Sequence, residues 1–152
     1  MLIRIISINN NEPKWIHESS KNYIQQLSKE IKIEIIQIKP NHLKDVEKKK
    51  FKDVENIKKY IKNFYIVALD ENGHKFTSTK FAKKINILVQ DYPRIAFVLG
   101  GVDGLDQYFI QKANLTLSLS PMTLTHQFAK VILIEQIFRA FSILKNHPYH
   151  RE

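Results

Sequence analysis

The stretch Phe97-Val98-Leu99-Gly100-Gly101-Val102-Asp103-Gly104 joins the end of a predicted buried strand to a glycine-rich turn. The chain contains four glycines, and three of them lie in this turn, at positions 100, 101 and 104. The preceding residues 94–99 are mostly apolar, with β-branched and aromatic side chains, which favours a strand. Glycine lets a backbone adopt positive φ or pass close to a ligand. Ligands of open α/β sheets bind at the carboxyl ends of strands. The stretch therefore predicts either a small-molecule site at Gly100 or a tight strand-to-helix turn without a ligand.

Outward from this turn, predicted strands and helices alternate along the chain. Strands are expected at residues 2–8, 31–38, 64–70, 94–99 and 115–119, and helices at about 13–27, 41–63, 77–90, 105–112 and 126–144. Such alternation predicts an α/β fold with a mainly parallel sheet of about five to six strands and helices on both faces. No shift in composition divides the chain, so residues 1–152 are predicted to form a single domain.

The composition restricts the chemistry and the partners. A formal charge of +9 favours a polyanion partner, with RNA or DNA first and an anionic membrane second, although it also fits a basic surface without a partner. The absence of cysteine excludes disulfides, thiolate metal sites and a cysteine nucleophile, and it suits a cytoplasmic protein. No apolar run is long enough to span a bilayer, and the amino terminus lacks a signal-peptide pattern.

Two helical segments each leave two interpretations open. Residues 41–63 are strongly basic around Lys48-Lys49-Lys50 and Lys52, which indicates either a solvated face or mobile loop, or a face that contacts phosphates. The expected core residues of this segment are Val46, Val54, Ile57 and Ile61. The last helix is apolar on more than one side, from Phe128 to Leu144. It is either a central helix covered by its own domain or a helix that also packs on a partner subunit.

The tail combines two histidines with a tyrosine and an arginine, at His147, Tyr149, His150 and Arg151. The two histidines without a third ligand make a weak metal site, so no metal is predicted. Termini are commonly loose, and a disordered basic tail is a second interpretation. The third is an ordered tail that supplies ring stacking, hydrogen bonds and an arginine to an RNA base.

Four motifs together resemble a known family. They are Leu99-Gly100-Gly101-x-x-Gly104-Leu105, Leu117-Ser118-Leu119-Ser120-x-Met122-Thr123-Leu124-x-His126, Glu135-Gln136-Ile137-Phe138-Arg139-Ala140 and His147-Pro148-Tyr149-His150-Arg151-Glu152. The chain resembles the bacterial large-subunit rRNA pseudouridine N3-methyltransferases, small members of the SPOUT superfamily of knotted methyltransferases. The resemblance covers the whole chain and is most specific over residues 97–152.

The resemblance implies a deep trefoil knot in the carboxyl-terminal part, a homodimer, and S-adenosylmethionine as cofactor. The substrate would be a pseudouridine of 23S rRNA in the assembled ribosome, methylated on N3. Cofactor contacts carried over from the motifs are Leu69, Gly100, Leu119, Ser120, Pro121, Met122, Thr123 and Leu124. No membrane and no metal ion is expected to take part.

The resemblance also implies a catalytic set. Methyl transfer to N3 requires that its imide proton be removed or shared. His126, Tyr149 and His150 are the candidates for base or base-orienting roles, and Arg139 would hold a phosphate or a base carbonyl. Arg151 is a predicted RNA contact. Lys130, which stands where the family often has arginine, is a second predicted RNA contact.

Two other functions compete with this hypothesis. The basic surface and tail could belong to a non-catalytic RNA-binding protein. Alternatively, the chain could be an unknotted, doubly wound enzyme that uses a nucleotide. The glycine stretch, however, lacks both the G-x-G-x-x-G fingerprint and the lysine of a phosphate-binding loop.

Overall fold

The computed structural model describes residues 1–151 and confirms the alternation of strands and helices. The elements in chain order are β1 (Leu2–Ile8), α1 (Lys14–Leu27), β2 (Lys32–Ile38), α2 (Val46–Lys58), β3 (Tyr65–Lys75), α3 (Ser78–Asp91), β4 (Arg94–Leu99), α4 (Gln107–Lys112), β5 (Leu115–Ser118) and α5 (His126–Leu144).

Within residues 1–151 the five strands form one sheet in the order β2-β1-β4-β3-β5. Every pair of neighbours is parallel. The carboxyl ends of all five strands therefore meet at one edge, which we call the carboxyl edge. The predicted parallel α/β sheet is confirmed. The trefoil knot is compatible with this strand order and stays a prediction.

Helices cover both faces of the sheet, as predicted. Helices α1, α3 and α5 pack with Ile5 and Phe97 on one face, and α2 and α4 pack with Ile6 and Val98 on the other. Successive residues of a strand point to opposite faces. A strand covered on both faces is therefore apolar along its length, and this is why residues 95–99 form one apolar run.

Helix α5 packs beside α1 and α3, and it runs in the same direction as α1. Trp15 contacts Phe128 near the start of both helices, with ring centroids 5.1 Å apart, and Lys145 pairs with Glu30 near their ends. Its inner residues, such as Leu133 and Ile137, are fully buried. Coverage by its own domain thus explains most of its apolar character, while Phe128 stays 51% exposed.

The predicted start of the second helix was wrong, and so was one of its core residues. Asp45 caps the helix by accepting a 2.8 Å hydrogen bond from the backbone N–H of Lys48, so α2 begins at Val46. Val46 is 45% exposed instead of buried. The reason is that α2 meets the core only from its second half, where Val54 and Ile57 are buried.

Strand β3 runs to Lys75, beyond the predicted end at residue 70, because a bulge lies inside it. Leu117 of β5 pairs with both Leu69 and His74, so residues 70–73 bulge out of the sheet. The carboxylate of Asp70 accepts a hydrogen bond from the backbone of Asn72 at 2.9 Å. A Cβ on Gly73 would lie 2.7 Å from the backbone of Leu117. Glycine is therefore required where β3 returns to its neighbour.

Candidate active site

The fold brings the predicted cofactor segments to one place. Leu69 precedes the bulge of β3, Gly100 follows β4, and the loop from Leu119 to Leu124 follows β5. These three strands are neighbours in the sheet and end at the carboxyl edge. In open parallel sheets, ligands bind in crevices outside this edge.

The glycine turn is held by its own backbone. Gly104 has a φ of 76° and donates a 3.1 Å hydrogen bond to the carbonyl of Gly101. A Cβ on Gly100 would lie 2.5 Å from the carbonyl carbon of Gly104, whereas one on Gly101 would meet only Ile8, at 3.4 Å. The tight turn by itself therefore requires glycine at position 100.

The loop after β5 is ordered by hydrogen bonds within itself and by one to the β3 bulge. The Ser118 hydroxyl donates to the carbonyl of Ser120 at 3.0 Å, and the Ser120 hydroxyl accepts from the backbone of Met122 at 2.9 Å. Thr123 reaches Glu71 in the β3 bulge at 3.4 Å. These contacts join two of the predicted cofactor segments.

A buried amide lies at the same edge. Asn9 follows β1 directly and is buried, yet within residues 1–151 neither its side-chain oxygen nor its nitrogen has a hydrogen-bond partner. The preceding residue, Ile8, is the neighbour that a Cβ on Gly101 of the turn would meet, at 3.4 Å. Unpaired buried polar groups are unfavourable by about 1–3 kcal/mol each, so Asn9 leaves hydrogen-bonding capacity for a polar ligand.

The tail folds back on α5 through a helix cap. Asn146 adopts a φ of 54°, its N–H donates to Ile143, and the N–H of His147 donates to Ser142 at 2.9 Å. These are the two hydrogen bonds of a Schellman motif, in which asparagine can replace the usual glycine. Pro148 follows, and the chain cannot continue as a helix. The prediction of an ordered tail is consistent with this cap.

The tail and α5 together form a polar cluster. Glu135 accepts from Arg139 Nε at 2.9 Å and from the Tyr149 hydroxyl at 3.0 Å. The Tyr149 hydroxyl also lies 3.2 Å from that of Tyr23 on α1, and the Arg139 guanidinium lies 4.8 Å from the Tyr149 ring centroid. We call Tyr23, Glu135, Arg139, Tyr149 and His150 the tail cluster.

The contact with Arg139 fixes the tautomer of His150. Arg139 Nη1 lies 3.2 Å from His150 Nδ1. A guanidinium only donates hydrogen bonds, so we assign Nδ1 as the acceptor and place the ring hydrogen on Nε2. The Nε2 atom is buried and has no partner within residues 1–151. It is therefore a free donor.

Two pKa values in the tail cluster are raised. Burial, then the hydrogen bonds with Tyr23 and Glu135, raise the pKa of the Tyr149 phenol well above its ordinary value. The hydrogen bond with Glu135 raises the pKa of Arg139. Tyr149 therefore keeps its proton at neutral pH and cannot act there as a general base.

The predicted catalytic residues do not all meet in one chain. His126 is the first residue of α5, beside the loop after β5. Arg139 follows thirteen residues later, which at 1.5 Å per residue places it about 20 Å away. One substrate base cannot contact both side chains of the same chain.

Comparison with known proteins identifies the family. A sequence profile described as "Predicted SPOUT methyltransferase" matches residues 1–150. The chain belongs to this SPOUT methyltransferase family. "Ribosomal RNA large subunit methyltransferase H" of Dechloromonas aromatica (strain RCB) is 35% identical over 160 residues, covering 100% of this chain and 99% of the relative. "Putative ribosomal RNA large subunit methyltransferase H" of Methanococcus vannielii is 40% identical over 159 residues, covering 99% of this chain and 100% of the relative.

A solved structure supports the fold. "The structure of a probable methylase family protein from Haemophilus influenzae Rd KW20" matches with a TM-score of 0.53 at 16% identity. The match covers 95% of this chain and 66% of the other.

Because methyl transfer requires a methyl donor, membership of the SPOUT methyltransferase family means that this chain uses a methyl-donor cofactor.

In this SPOUT methyltransferase the two predicted RNA contacts differ in environment. Arg151 is exposed. Lys130 is 3% exposed, and its Nζ lies 2.6 Å from Oε1 of Glu12, which is also largely buried. The RNA contact of Lys130 stays a prediction, and this burial argues against it.

Two residues of the tail cluster were not among the predicted site residues. Glu135 had a sequence signal, because it lies four residues before Arg139 and such pairs meet on a helix face. Tyr23 had no such signal, since it belongs to the apolar stripe of α1 and meets Tyr149 only in the fold.

Within residues 1–151, no three His, Asp or Glu side chains form a metal-binding group, and no helix has the length and apolarity to cross a membrane.

Proposed function

We propose that this chain transfers a methyl group from S-adenosylmethionine to N3 of a pseudouridine in 23S rRNA of the assembled ribosome. The observation that carries the proposal is the match over its whole length to relatives named ribosomal RNA large subunit methyltransferase H. The positive net charge favours an RNA substrate. The chain acts as one domain, in the cytoplasm, where ribosomes are found.

The cofactor binds at the carboxyl edge, between Leu69, Gly100 and the loop from Leu119 to Leu124. Three adjacent strand ends support this site, and so does the unpaired amide of Asn9. Backbone groups of the turn and the loop form hydrogen bonds with the edge of the adenine, so that no charged side chain is needed. When bound, S-adenosylmethionine supplies an electrophilic methyl group.

The tail cluster binds and orients the acceptor base. The partly exposed guanidinium of Arg139 holds a carbonyl of the base, while its contact with His150 Nδ1 keeps the ring hydrogen of that imidazole on Nε2. Glu135 in turn holds Arg139 and Tyr149. Because Tyr149 keeps its proton and His150 presents a donor, His126 is the remaining candidate for the base that removes the N3 proton. Arg151 contacts a phosphate.

The separation of His126 from the tail cluster favours a homodimer. In a two-fold dimer, the tail of one copy can reach the carboxyl edge of the other, so that two chains complete one site. The exposed aromatic pair Trp15 and Phe128, at the same end of α5 as His126, is apolar surface available for such contact.

The proposal is tested by calorimetric titration with S-adenosylmethionine, followed by mass spectrometry of 23S rRNA from cells that lack the protein. We expect saturable binding and loss of one methyl group at a pseudouridine. Ribosome binding without cofactor binding would instead support the non-catalytic RNA-binding protein. A chain trace in which residues 120–146 do not pass through a loop would support the unknotted nucleotide enzyme.

A further inference from the structure

A surface groove lies on the sheet face opposite α5. Its volume is about 480 Å³, and its lining residues are Leu43, Glu47, Lys48, Phe51, Lys52 and Asp106. Helix α2 and the segment before it supply all of these except Asp106, which follows the glycine turn and caps α4. We call it the α2 groove.

An aromatic ring and two cations share one side of the α2 groove. Phe51 is 57% exposed, although a large apolar side chain is normally expected to be covered. Lys48 lies three residues before Phe51, and Lys52 lies four residues after Lys48, so the three side chains occupy the same face of α2. Proteins that bind single-stranded nucleic acids use exposed aromatic rings to stack the bases and nearby cations to contact the phosphates.

The segment that carries α2 is positively charged, whereas the lining of the groove itself is balanced, with Lys48 and Lys52 against Glu47 and Asp106. Residues 41–63 contain eight lysines and four acids, a net charge of +4. Lys52 lies 3.5 Å from Glu55 in an exposed pair, which water and salt weaken. Lys48 forms no ion pair with any carboxylate of residues 1–151. The ammonium of Lys48 is therefore available to a phosphate.

The groove is attached to the candidate cofactor site. Lys49 Nζ lies 2.8 Å from the carboxylate of Asp103 in the glycine turn, and this hydrogen bond raises the pKa of Lys49. Asn41 donates to the carboxylate of Asp53 at 2.7 Å and to the carbonyl of Lys49, which fixes the segment before α2. RNA bound in the groove would therefore lie next to the turn at Gly100.

We propose that the α2 groove is a second RNA contact surface, which stacks an unpaired base of the substrate on Phe51 and pairs the flanking phosphates with Lys48 and Lys52. This inference rests on the proposed function, because it assigns the occupant to the ribosomal substrate. Its role is affinity and orientation of the RNA, not methyl transfer itself.

The test compares two groove variants with a control on the same helix. The groove variants are Phe51→Ala and the double change Lys48→Glu/Lys52→Glu. The control is Lys58→Glu/Lys59→Glu, which alters the charge equally at two exposed lysines outside the groove lining. The measurements are Kd for a protein-free 23S rRNA fragment at several salt concentrations, Kd for S-adenosylmethionine, and kcat and KM on ribosomes.

We expect Phe51→Ala to weaken RNA binding about tenfold, since stacking on one aromatic ring contributes about fivefold or more in affinity. The double lysine change should weaken RNA binding at least as much and reduce the slope of log K against log salt by about two, one for each lost phosphate contact. KM should rise, while kcat and the Kd for S-adenosylmethionine stay within about twofold of wild type. The melting temperature should remain unchanged, because these side chains are exposed.

Two results would overturn the inference. One is equal weakening by the Lys58→Glu/Lys59→Glu control, which would mean that net charge alone matters. The other is unchanged affinity of both groove variants for protein-free RNA, which would leave the groove to a protein partner. A wild-type protein that binds RNA without methylating ribosomes would contradict the proposed function, while the groove variants would still report on RNA binding.

Discussion

The guanidinium of Arg139 donates to Nδ1 of His150, with 3.2 Å between the two nitrogens, which places the ring hydrogen of His150 on Nε2. This pair joins α5 to the tail. It also converts a histidine that the sequence offered as a base into a hydrogen-bond donor.

The tautomer of His150 can be measured directly. Nitrogen-15 NMR at neutral pH should show a bare Nδ1 and a protonated Nε2 for this ring, identified by its loss in His150→Asn. In Arg139→Gln the charged donor is absent, and the ring should become a mixture of the Nδ1–H and Nε2–H tautomers. A protonated Nδ1 in the wild-type protein would contradict the assignment.

Glu135 should matter for methyl transfer more than for cofactor binding. It anchors both Arg139 and Tyr149, and misplacement of an orienting group by about 1 Å reduces the rate on the order of 10²-fold. Glu135→Gln should therefore reduce methylation of ribosomes by about this factor and leave calorimetric affinity for S-adenosylmethionine within twofold. The matched control is Glu18→Gln, the same change at an exposed carboxylate of α1 outside the tail cluster. A Glu135→Gln enzyme of normal rate would rule out the anchoring role.

The buried pair of Lys130 and Glu12 should contribute to stability. Removing one partner of a buried ion pair leaves an uncompensated charge and is destabilising by about 3–5 kcal/mol. We expect Lys130→Met to lower the free energy of unfolding in urea by about this amount, and Lys130→Met combined with Glu12→Gln to recover part of the loss. If Lys130→Met instead lowers RNA affinity at unchanged stability, Lys130 contacts RNA after all.

Tyr149 should resist ionisation at alkaline pH. Its pKa is raised by burial and by its hydrogen bonds with Tyr23 and Glu135, so the folded state holds the phenol proton more tightly than the unfolded chain. The resulting stability is complete below the ordinary tyrosine pKa of about 10 and is lost as pH rises toward the higher folded value. The ultraviolet difference titration of wild type against Tyr149→Phe should show no phenolate from Tyr149 near pH 10. A normal titration midpoint would disprove the burial argument.

The glycine turn provides a matched pair of variants. Gly100→Ala places a Cβ 2.5 Å from backbone, whereas Gly101→Ala meets a flexible isoleucine side chain at 3.4 Å. Gly100→Ala should therefore distort the turn, lower the melting temperature and weaken S-adenosylmethionine binding, as Gly100→Val would more strongly. Gly101→Ala should stay close to wild type in calorimetry and thermal unfolding. Equal behaviour of the two variants would remove Gly100 from the cofactor site.

Local features of the sequence were sufficient for most of the architecture. Apolar runs bounded by polar turns predicted five strands, and alternation with amphipathic helices predicted a parallel sheet covered on both faces. The errors concerned the first turn of α2 and the carboxyl-terminal part of β3. Val46 has helical spacing, but whether a helix turn overlies the core depends on where α2 lies. The bulge of β3 depends on how its backbone pairs with Leu117.

The sequence by itself determined the parallel α/β class, the glycine turn at the end of β4 and, through its motifs, the SPOUT family, because these depend on residue type and spacing along the chain. Only the tertiary structure decided that Tyr149 and Arg139 share Glu135 and that Lys130 is buried against Glu12. Such contacts join residues up to 118 positions apart. They depend on how α1, α5 and the tail pack together, which no local pattern of residues records.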